Sequence, residues 1–178
     1  MKQIIALFLT CFMLLILCSC GSAADNTQKE NAKEQQGTPI ITEADPKSAL
    51  EEIYAQLDRS AGLVDADDDI VRKVMGFNLR HIDEYYIRYM EPDYGASDVY
   101  IIKPKKDQYD AVRESLKDWQ EIRIQSFDGY DIYNSTAISE NSVIFRRGDY
   151  LIMLMLEDND TARSIIEQYI PEELNLEN

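Results

Sequence analysis

Cysteine, histidine and cationic side chains are scarce in this 178-residue chain, and each shortage excludes a class of function. The three cysteines all lie in the first 20 residues, so no internal disulfide can cross-link the rest of the chain. His81 is the only histidine, which excludes a zinc site built from histidine and cysteine. The 18 lysines and arginines are outnumbered by 33 acids, and the formal charge of −15 opposes electrostatic binding to nucleic acid or to an anionic bilayer.

Glycine-rich loops are missing as well, because the whole chain holds only seven glycines. Neither a P-loop nor a G-x-G-x-x-G element is present, so the sequence does not support nucleotide binding through those devices. No G-x-S-x-G element accompanies His81, which we interpret as an ordinary surface or boundary residue. We therefore predict a protein that is not an enzyme and that has no catalytic residue, cofactor or metal site.

The N-terminus has the pattern of a bacterial lipoprotein signal. Lys2 precedes an uncharged and almost wholly apolar run at residues 4–17, which has the length of a signal-peptide core and is too short to span a bilayer. The run ends in LCSCG, where a leucine stands three positions before the second cysteine and small residues flank the cut. This pattern predicts cleavage between Ser19 and Cys20 and attachment of lipid to Cys20.

Two alternatives to lipidation stay open: a plain cleaved signal peptide and a retained N-terminal helix. Cys18 is a poorer lipid acceptor than Cys20, because it would place the bulky Leu17 directly before the cut. Two or three acyl chains on one cysteine would hold the chain firmly without a spanning helix. We therefore expect a protein bound to the cell membrane by its lipid anchor, on the extracytoplasmic face.

The rest of the chain divides by composition into a tether and one domain. The segment after the anchor has no aromatic residue and few large aliphatic ones, so it cannot bury enough surface to offset the entropy of ordering. The predicted regions are a signal peptide (1–19), a lipid-anchored flexible tether (20–44), a single α+β domain (45–171) and a C-terminal tail (172–178).

Hydrophobic periodicity predicts the element order α-α-β-β-α-β-β-α. The predicted elements are a helix that opens at Asp45-Pro46 and stops near Gly62, a short helix from the acidic run 67–69, strands at 85–90 and 99–102, a helix capped by Asp107, a hairpin of 142–147 and 150–156 turned by Gly148-Asp149, and a last helix capped by Asp158 or Asp160. The strand at 150–156 is apolar on both faces, which predicts a central position. We expect a four-stranded, mainly antiparallel sheet with helices packed on one face.

This order of motifs resembles an uncharacterised family of proteins. The motifs are YYIRYM, an acidic loop, DVYIIKP, a charged helix ending in QSFDGY, and VIFRRGDYLIMLML. The family consists of small lipoproteins of Gram-positive bacteria with a C-terminal domain of unknown function, and the likeness covers roughly residues 49–170. The resemblance implies an extracytoplasmic location and a single domain, and it brings no active site, cofactor or substrate.

Two local motifs suggest chemistry that their surroundings argue against. The acidic run that starts at Asp65 has Ile70 and Gly76 where a calcium-binding EF-hand loop needs glycine and glutamate, so we interpret it as a solvated helix start. The Arg-Gly-Asp triplet at 147–149 occupies a tight hairpin turn, where glycine and aspartate are favoured for backbone reasons.

The first predicted hairpin carries a surplus of tyrosine. The five residues are Tyr85, Tyr86, Tyr89, Tyr94 and Tyr100. Exposed aromatic rings stack on sugars and form protein-binding patches, so these tyrosines are our candidate interaction surface. The alternative is that they cover the open side of a small sheet.

The leading functional hypothesis is a non-catalytic, lipid-anchored domain that binds a protein or cell-wall partner and no nucleic acid. One alternative is a hydrolase of cell-wall polymers that uses paired carboxylates, of which one would need a raised pKa. The other is a structural subunit of a membrane complex, which a large exposed apolar patch would mark.

Overall fold

The computed structural model describes residues 43–57 and 60–172. The predicted signal peptide, with the cleavage and lipid-attachment residues Ser19 and Cys20, lies outside the described residues. So do nearly all of the predicted tether and most of the predicted tail.

The described residues form helices and strands that alternate along the chain. The helices are α1 (Pro46–Ala55), α2 (Tyr109–Ser126), α3 (Ser135–Glu140) and α4 (Asn159–Tyr169). The strands are β1 (Leu63–Asp65), β2 (Ile82–Met90), β3 (Asp98–Pro104), β4 (Val143–Arg147) and β5 (Tyr150–Met155). Shorter turns are a π-helical turn at Ile70–Val74 and 3₁₀ turns at Leu79–His81 and Pro92–Tyr94.

The five strands make one antiparallel sheet in the order β1-β2-β3-β5-β4. The α+β class is as predicted, but the predicted count of four strands is wrong. The additional strand is β1, which pairs with the far end of β2, with Leu63 opposite Met90 and Asp65 opposite Arg88. Three residues are too few to show an alternating pattern, so β1 exists only because β2 is long enough to offer a pairing edge.

Helices cover both faces of the sheet, so the prediction of helices on one face is also wrong. Side chains of β3 alternate between two cores: Tyr100 and Ile102 lie in one, Val99 and Ile101 in the other. The α2-side core contains residues of α2, α3 and the π-helical turn, such as Leu116, and the α1/α4-side core contains residues of α1 and α4. All six residues of β5 are buried, which confirms the predicted central strand.

Two predicted helix caps and the predicted hairpin turn are present in the structure. The side chain of Asp45 accepts a hydrogen bond from the Ser48 backbone N–H at the start of α1. Asp158, one of the two predicted caps, does the same for Thr161 at the start of α4. Gly148 turns the β4–β5 hairpin at φ +54°, and a Cβ there would lie 2.7 Å from the Pro171 carbonyl oxygen, so this position requires glycine.

Four helical segments differ from expectation. The first helix ends at Ala55, before the predicted Gly62. The second predicted helix is the π-helical turn at Ile70–Val74, closed by a hydrogen bond from Met75 N–H to the Ile70 carbonyl. Helix α3 was missed because its short sequence STAISE buries serines, including Ser135 and Ser139, and therefore lacks an apolar period. Asp107 does not cap α2, whose N-cap is Gln108.

Candidate functional site

The tyrosines of the first hairpin do not form one surface. Tyr85 and Tyr89 pack against the α2-side core, whereas Tyr86 packs against the α1/α4-side core on the opposite face. The Tyr85 hydroxyl donates to Asp68 at 2.6 Å, and burial together with this carboxylate raises the pKa of Tyr85 to about 12. All three rings are half-buried, so they contribute to the cores on both faces of the sheet and keep part of their surface in solvent.

Tyr100 is fully buried, so the prediction that it belongs to an interaction surface is wrong. Its hydroxyl donates to Asp98 Oδ2 at 2.9 Å and accepts a hydrogen bond from Trp119 Nε1. Burial raises the pKa of Tyr100 well above its ordinary value. Successive side chains of β3 point to opposite faces of the sheet, and the Tyr100 ring therefore lies in the α2-side core.

A buried ion pair lies beside Tyr100. The Arg123 guanidinium donates from Nε to Asp98 Oδ2 at 2.8 Å and from Nη2 to Oδ1 at 3.1 Å, and both side chains are at most 1% exposed. Arg123 also donates to the carbonyls of Met90 and Gly95, which ties α2 to the β2–β3 connection. With every partner inside the protein, this pair is a structural clamp. Arg123 lies on the same helical stripe as Leu116, a signal that sequence inspection missed.

Exposed tyrosines gather where α2 ends. Tyr94 is 45% exposed, Tyr130 is 75% exposed and Tyr133 is 63% exposed. We call these three residues the tyrosine end. Tyr94 alone belonged to the predicted interaction surface; Tyr130 and Tyr133 were missed. Their signal was the turn-rich segment after α2, DGYDIYN, in which the two tyrosines follow no apolar period.

The loops of the tyrosine end are held together by hydrogen bonds. The Ser135 hydroxyl accepts from the Ala96 backbone N–H at 2.9 Å and donates to the Ile132 carbonyl, so the loop after the Pro92–Tyr94 turn is joined to the loop before α3. Tyr133 and the adjoining Asn134 have φ values of 52° and 61°, in the left-handed region. The Ser135 hydrogen bonds lie directly beside this uncommon backbone and help to hold it.

The acidic run has partners inside the protein. Asp65 binds Arg88 at 3.0 Å, Asp67 accepts from the Ile70 N–H, and Asp68 accepts from Tyr85. Asp69 pairs with Arg72 and Lys73, and hydrogen bonds from Lys73 and Arg72 lower its pKa. These contacts fit the interpretation of the run as the start of a helical turn.

His81, which the sequence predicts to be an ordinary surface or boundary residue, lies next to a polar side chain of its own turn. His81 is half-buried in a 3₁₀ turn, with its Nε2 atom 3.1 Å from Asn78 Nδ2.

Asp45, Glu114 and Asp158, like Asp69, have lowered pKa values, caused chiefly by hydrogen bonds from Ser48, Lys117 and Thr161. A lowered pKa is the opposite of what the general acid of a glycoside hydrolase requires, so these groups lend the hydrolase alternative no support.

Over residues 43–57 and 60–172, no group of three or more His, Cys, Asp or Glu side chains is arranged to hold a metal ion. Within the same part of the chain, no helix is long and apolar enough to cross a membrane.

The architecture defines a small α+β domain with helices on both faces of an antiparallel sheet. Residues 55–156 match the family described as "Domain of unknown function (DUF4358)". The match covers more than half of the chain, which therefore belongs to this family. No curated protein and no solved structure shows significant similarity to the chain.

Proposed function

We propose that the protein is a lipid-anchored domain on the extracytoplasmic face of the cell membrane, and that it acts by binding a protein or cell-wall partner rather than by catalysis. The lipobox at Cys20 and the polar segment after it support the location. The observation that carries the binding role is the tyrosine end, where three large aromatic side chains stand exposed on two loops that a hydrogen bond joins.

Tyrosine suits this role for physical reasons. Its ring contributes a large contact area while only two side-chain torsions have to be fixed, so little entropy is lost on binding. The hydrogen bonds between Ser135 and the Ala96 segment further reduce the ordering that binding requires. A partner that covered Tyr94, Tyr130 and Tyr133 would therefore gain buried area at a low entropic cost.

Substitution of the lipid-accepting cysteine tests the anchor. In a bacterium that processes lipoproteins, Cys20→Ala is expected to leave a larger, unprocessed precursor that incorporates no labelled fatty acid. Cys18→Ala is the matched control and should be processed normally. Normal cleavage of the Cys20→Ala chain would contradict the anchor proposal.

Site-specific photocross-linking tests the binding surface. A photoreactive amino acid at position 130 is expected to give adducts in intact cells, either with a discrete membrane protein or with cell-wall polymer. The control position is Glu114, which is exposed on α2 away from the tyrosine end. Adducts that are equal from both positions, or missing from both, would refute a binding role for the tyrosine end.

A further inference from the structure

A cationic groove lies at the opposite end of α2 from the tyrosine end. It encloses about 570 Å³ between the end of β3, the start of α2 and the β4–β5 turn. Its cationic lining consists of Lys103, Lys105, Lys106 and Arg146, and Tyr109 forms part of its wall. Since α2 has 18 residues, about 27 Å of helix separates this groove from the tyrosine end.

Three of these cations, Lys105, Lys106 and Arg146, differ from most of the others that the structure describes, which are paired with acids. Arg88, Lys117 and Arg163, for example, each form an ion pair with a carboxylate. In the part of the chain that the structure describes, Lys105 and Lys106 are exposed and their ammonium groups have neither a hydrogen bond nor an ion pair. In a protein of net charge −15, these two unneutralised cations beside one groove are opposite in sign to the overall charge.

The other two cations are held in place by their neighbours. Arg146 donates to the Gly148 carbonyl at 2.9 Å and stacks over the Tyr109 ring at 5.6 Å, and no carboxylate among the described residues pairs with it. Lys103 Nζ is 3.7 Å from Asp149 Oδ2 and 3.9 Å from Glu84 Oε1, two long contacts that neutralise it in part. The groove therefore combines two fixed cations with two free ones.

The start of α2 adds partial positive charge to the groove. Gln108, the N-cap, makes no side-chain cap hydrogen bond, so the first backbone N–H groups of α2 are not satisfied by a cap side chain. Asp83, Asp107 and Asp149 also line the groove, Glu84 lies near Lys103 and Asp110 lies in the first turn of α2, so acids balance the cations overall and the positive charge is local. A ligand must therefore place its negative charge close to Lys105, Lys106 and Arg146.

We infer that this groove binds a phosphate-bearing ligand of small-molecule size. Lysine ammonium groups act as point charges suited to phosphate, and backbone N–H groups at a helix start bind the same anion. The volume exceeds that of a single ion, so the phosphate would be carried by an organic group that the Tyr109 wall contacts. Two sources share this chemistry, a soluble phosphate ester and the headgroup of an anionic phospholipid.

Binding measurements on the full processed chain in detergent micelles distinguish the two sources. The soluble probe is glycerol 3-phosphate, with glycerol as its uncharged control, and titration calorimetry measures affinity. The lipid probe is the short-chain phospholipid dihexanoylphosphatidylglycerol, compared with dihexanoylphosphatidylcholine, and titration calorimetry on the same processed chain measures its affinity. Saturable binding to either charged probe supports the inference and identifies the source.

A double substitution, Lys105→Gln with Lys106→Gln, locates the binding. Both side chains are exposed, so the fold should persist, as thermal unfolding by circular dichroism would verify. The variant is expected to bind about tenfold more weakly, the ratio that corresponds to about 1.4 kcal/mol. The control Lys47→Gln with Lys117→Gln changes the net charge equally, away from the groove, and should bind like the unmodified chain.

Two results would overturn the inference. One is the failure of both charged probes to bind, and the other is an equal loss of affinity in the groove variant and in the charge-matched control. Neither result bears on the tyrosine end, because the two surfaces lie at opposite ends of α2.

Discussion

The α2-side core and the α1/α4-side core lie on opposite faces of one sheet, but they are held by different chemistry. The buried charged side chains that the structure describes, Asp98 and Arg123, both belong to the α2 side, where they join Tyr100 and Trp119 in one network. The α1/α4-side core is built from aliphatic residues, such as Ile166, with Tyr150 at its edge.

This difference predicts how the stability of each core responds to substitution. Apolar contacts are non-directional, so an aliphatic core loses stability in proportion to the volume removed. A buried ion pair is directional, and the removal of one partner leaves the other as an uncompensated charge. The ion pair on the α2 side therefore fixes the position of α2 relative to the β2–β3 loop. The α1/α4 side stabilises the fold through buried apolar surface.

The largest effect is expected from Arg123→Ala. This change leaves the Asp98 carboxylate buried without a cation and frees the carbonyls of Met90 and Gly95, so the free energy of unfolding should fall by about 3–5 kcal/mol. Urea denaturation measures it. Arg123→Lys keeps the charge but loses the two-pronged geometry, so a smaller loss is expected. A loss below about 1 kcal/mol for Arg123→Ala would show that the clamp does not stabilise the fold.

Matched cavity variants compare the aliphatic parts of the two cores. Leu116 on the α2 side and Ile166 on the α1/α4 side are both fully buried. Each change to alanine is expected to cost about 2–5 kcal/mol, because both leave a cavity of similar size. The measurement is again urea denaturation. If one side lost far more than the other, packing would differ between the faces in addition to charge.

Trp119→Phe tests the neutral part of the network. Phenylalanine retains an aromatic ring but removes the N–H that donates to the Tyr100 hydroxyl, so a loss of about 1–2 kcal/mol is expected. Tyr100→Phe is the partner variant, and the double-mutant cycle should show coupling. Strictly additive losses would mean that the two side chains act independently.

The smallest effect is expected at the cap of α1, on the aliphatic side. Asp45→Ala removes the hydrogen bond to the Ser48 N–H and should cost about 1 kcal/mol in thermal or urea unfolding. Asp45→Asn, which retains a capping oxygen, should cost less at neutral pH.

The same cap gives a pH dependence of known sign. Hydrogen bonds from Ser48 lower the pKa of Asp45 below its ordinary value in the folded state. The stabilisation is therefore complete above about pH 5 and is lost as the pH falls below about 4, through the folded-state pKa. The stability difference between the unmodified chain and Asp45→Asn should shrink over that range. A difference that is constant with pH would contradict the assignment.

Much of the local structure was predictable because it depends on neighbours in sequence. Asp45, Asp158 and the Gly148-Asp149 turn act within four residues, and the apolar run of β5 predicted its own burial. The candidate site was less predictable. Of the five hairpin tyrosines, Tyr100 is buried and the others divide between the faces and a loop, because strand alternation assigns a face without saying what covers it.

The sequence by itself determined the starts of α1 and α4, the hairpin turn, the doubly apolar central strand and the α+β class, since each follows from residue preferences over a few positions. The tertiary structure alone decided that α1 and α4 cover one face and α2 and α3 the other, that β1 joins the edge of β2, and that Arg123 meets Asp98. The physical reason is that an apolar stripe on a helix must be buried, but the stripe alone does not determine which face of the sheet buries it. Likewise, Arg146 reaches the groove from a different strand than Lys103, and the loop of Tyr94 is joined to the loop of Tyr130 and Tyr133, only because the sheet and its helices pack as they do.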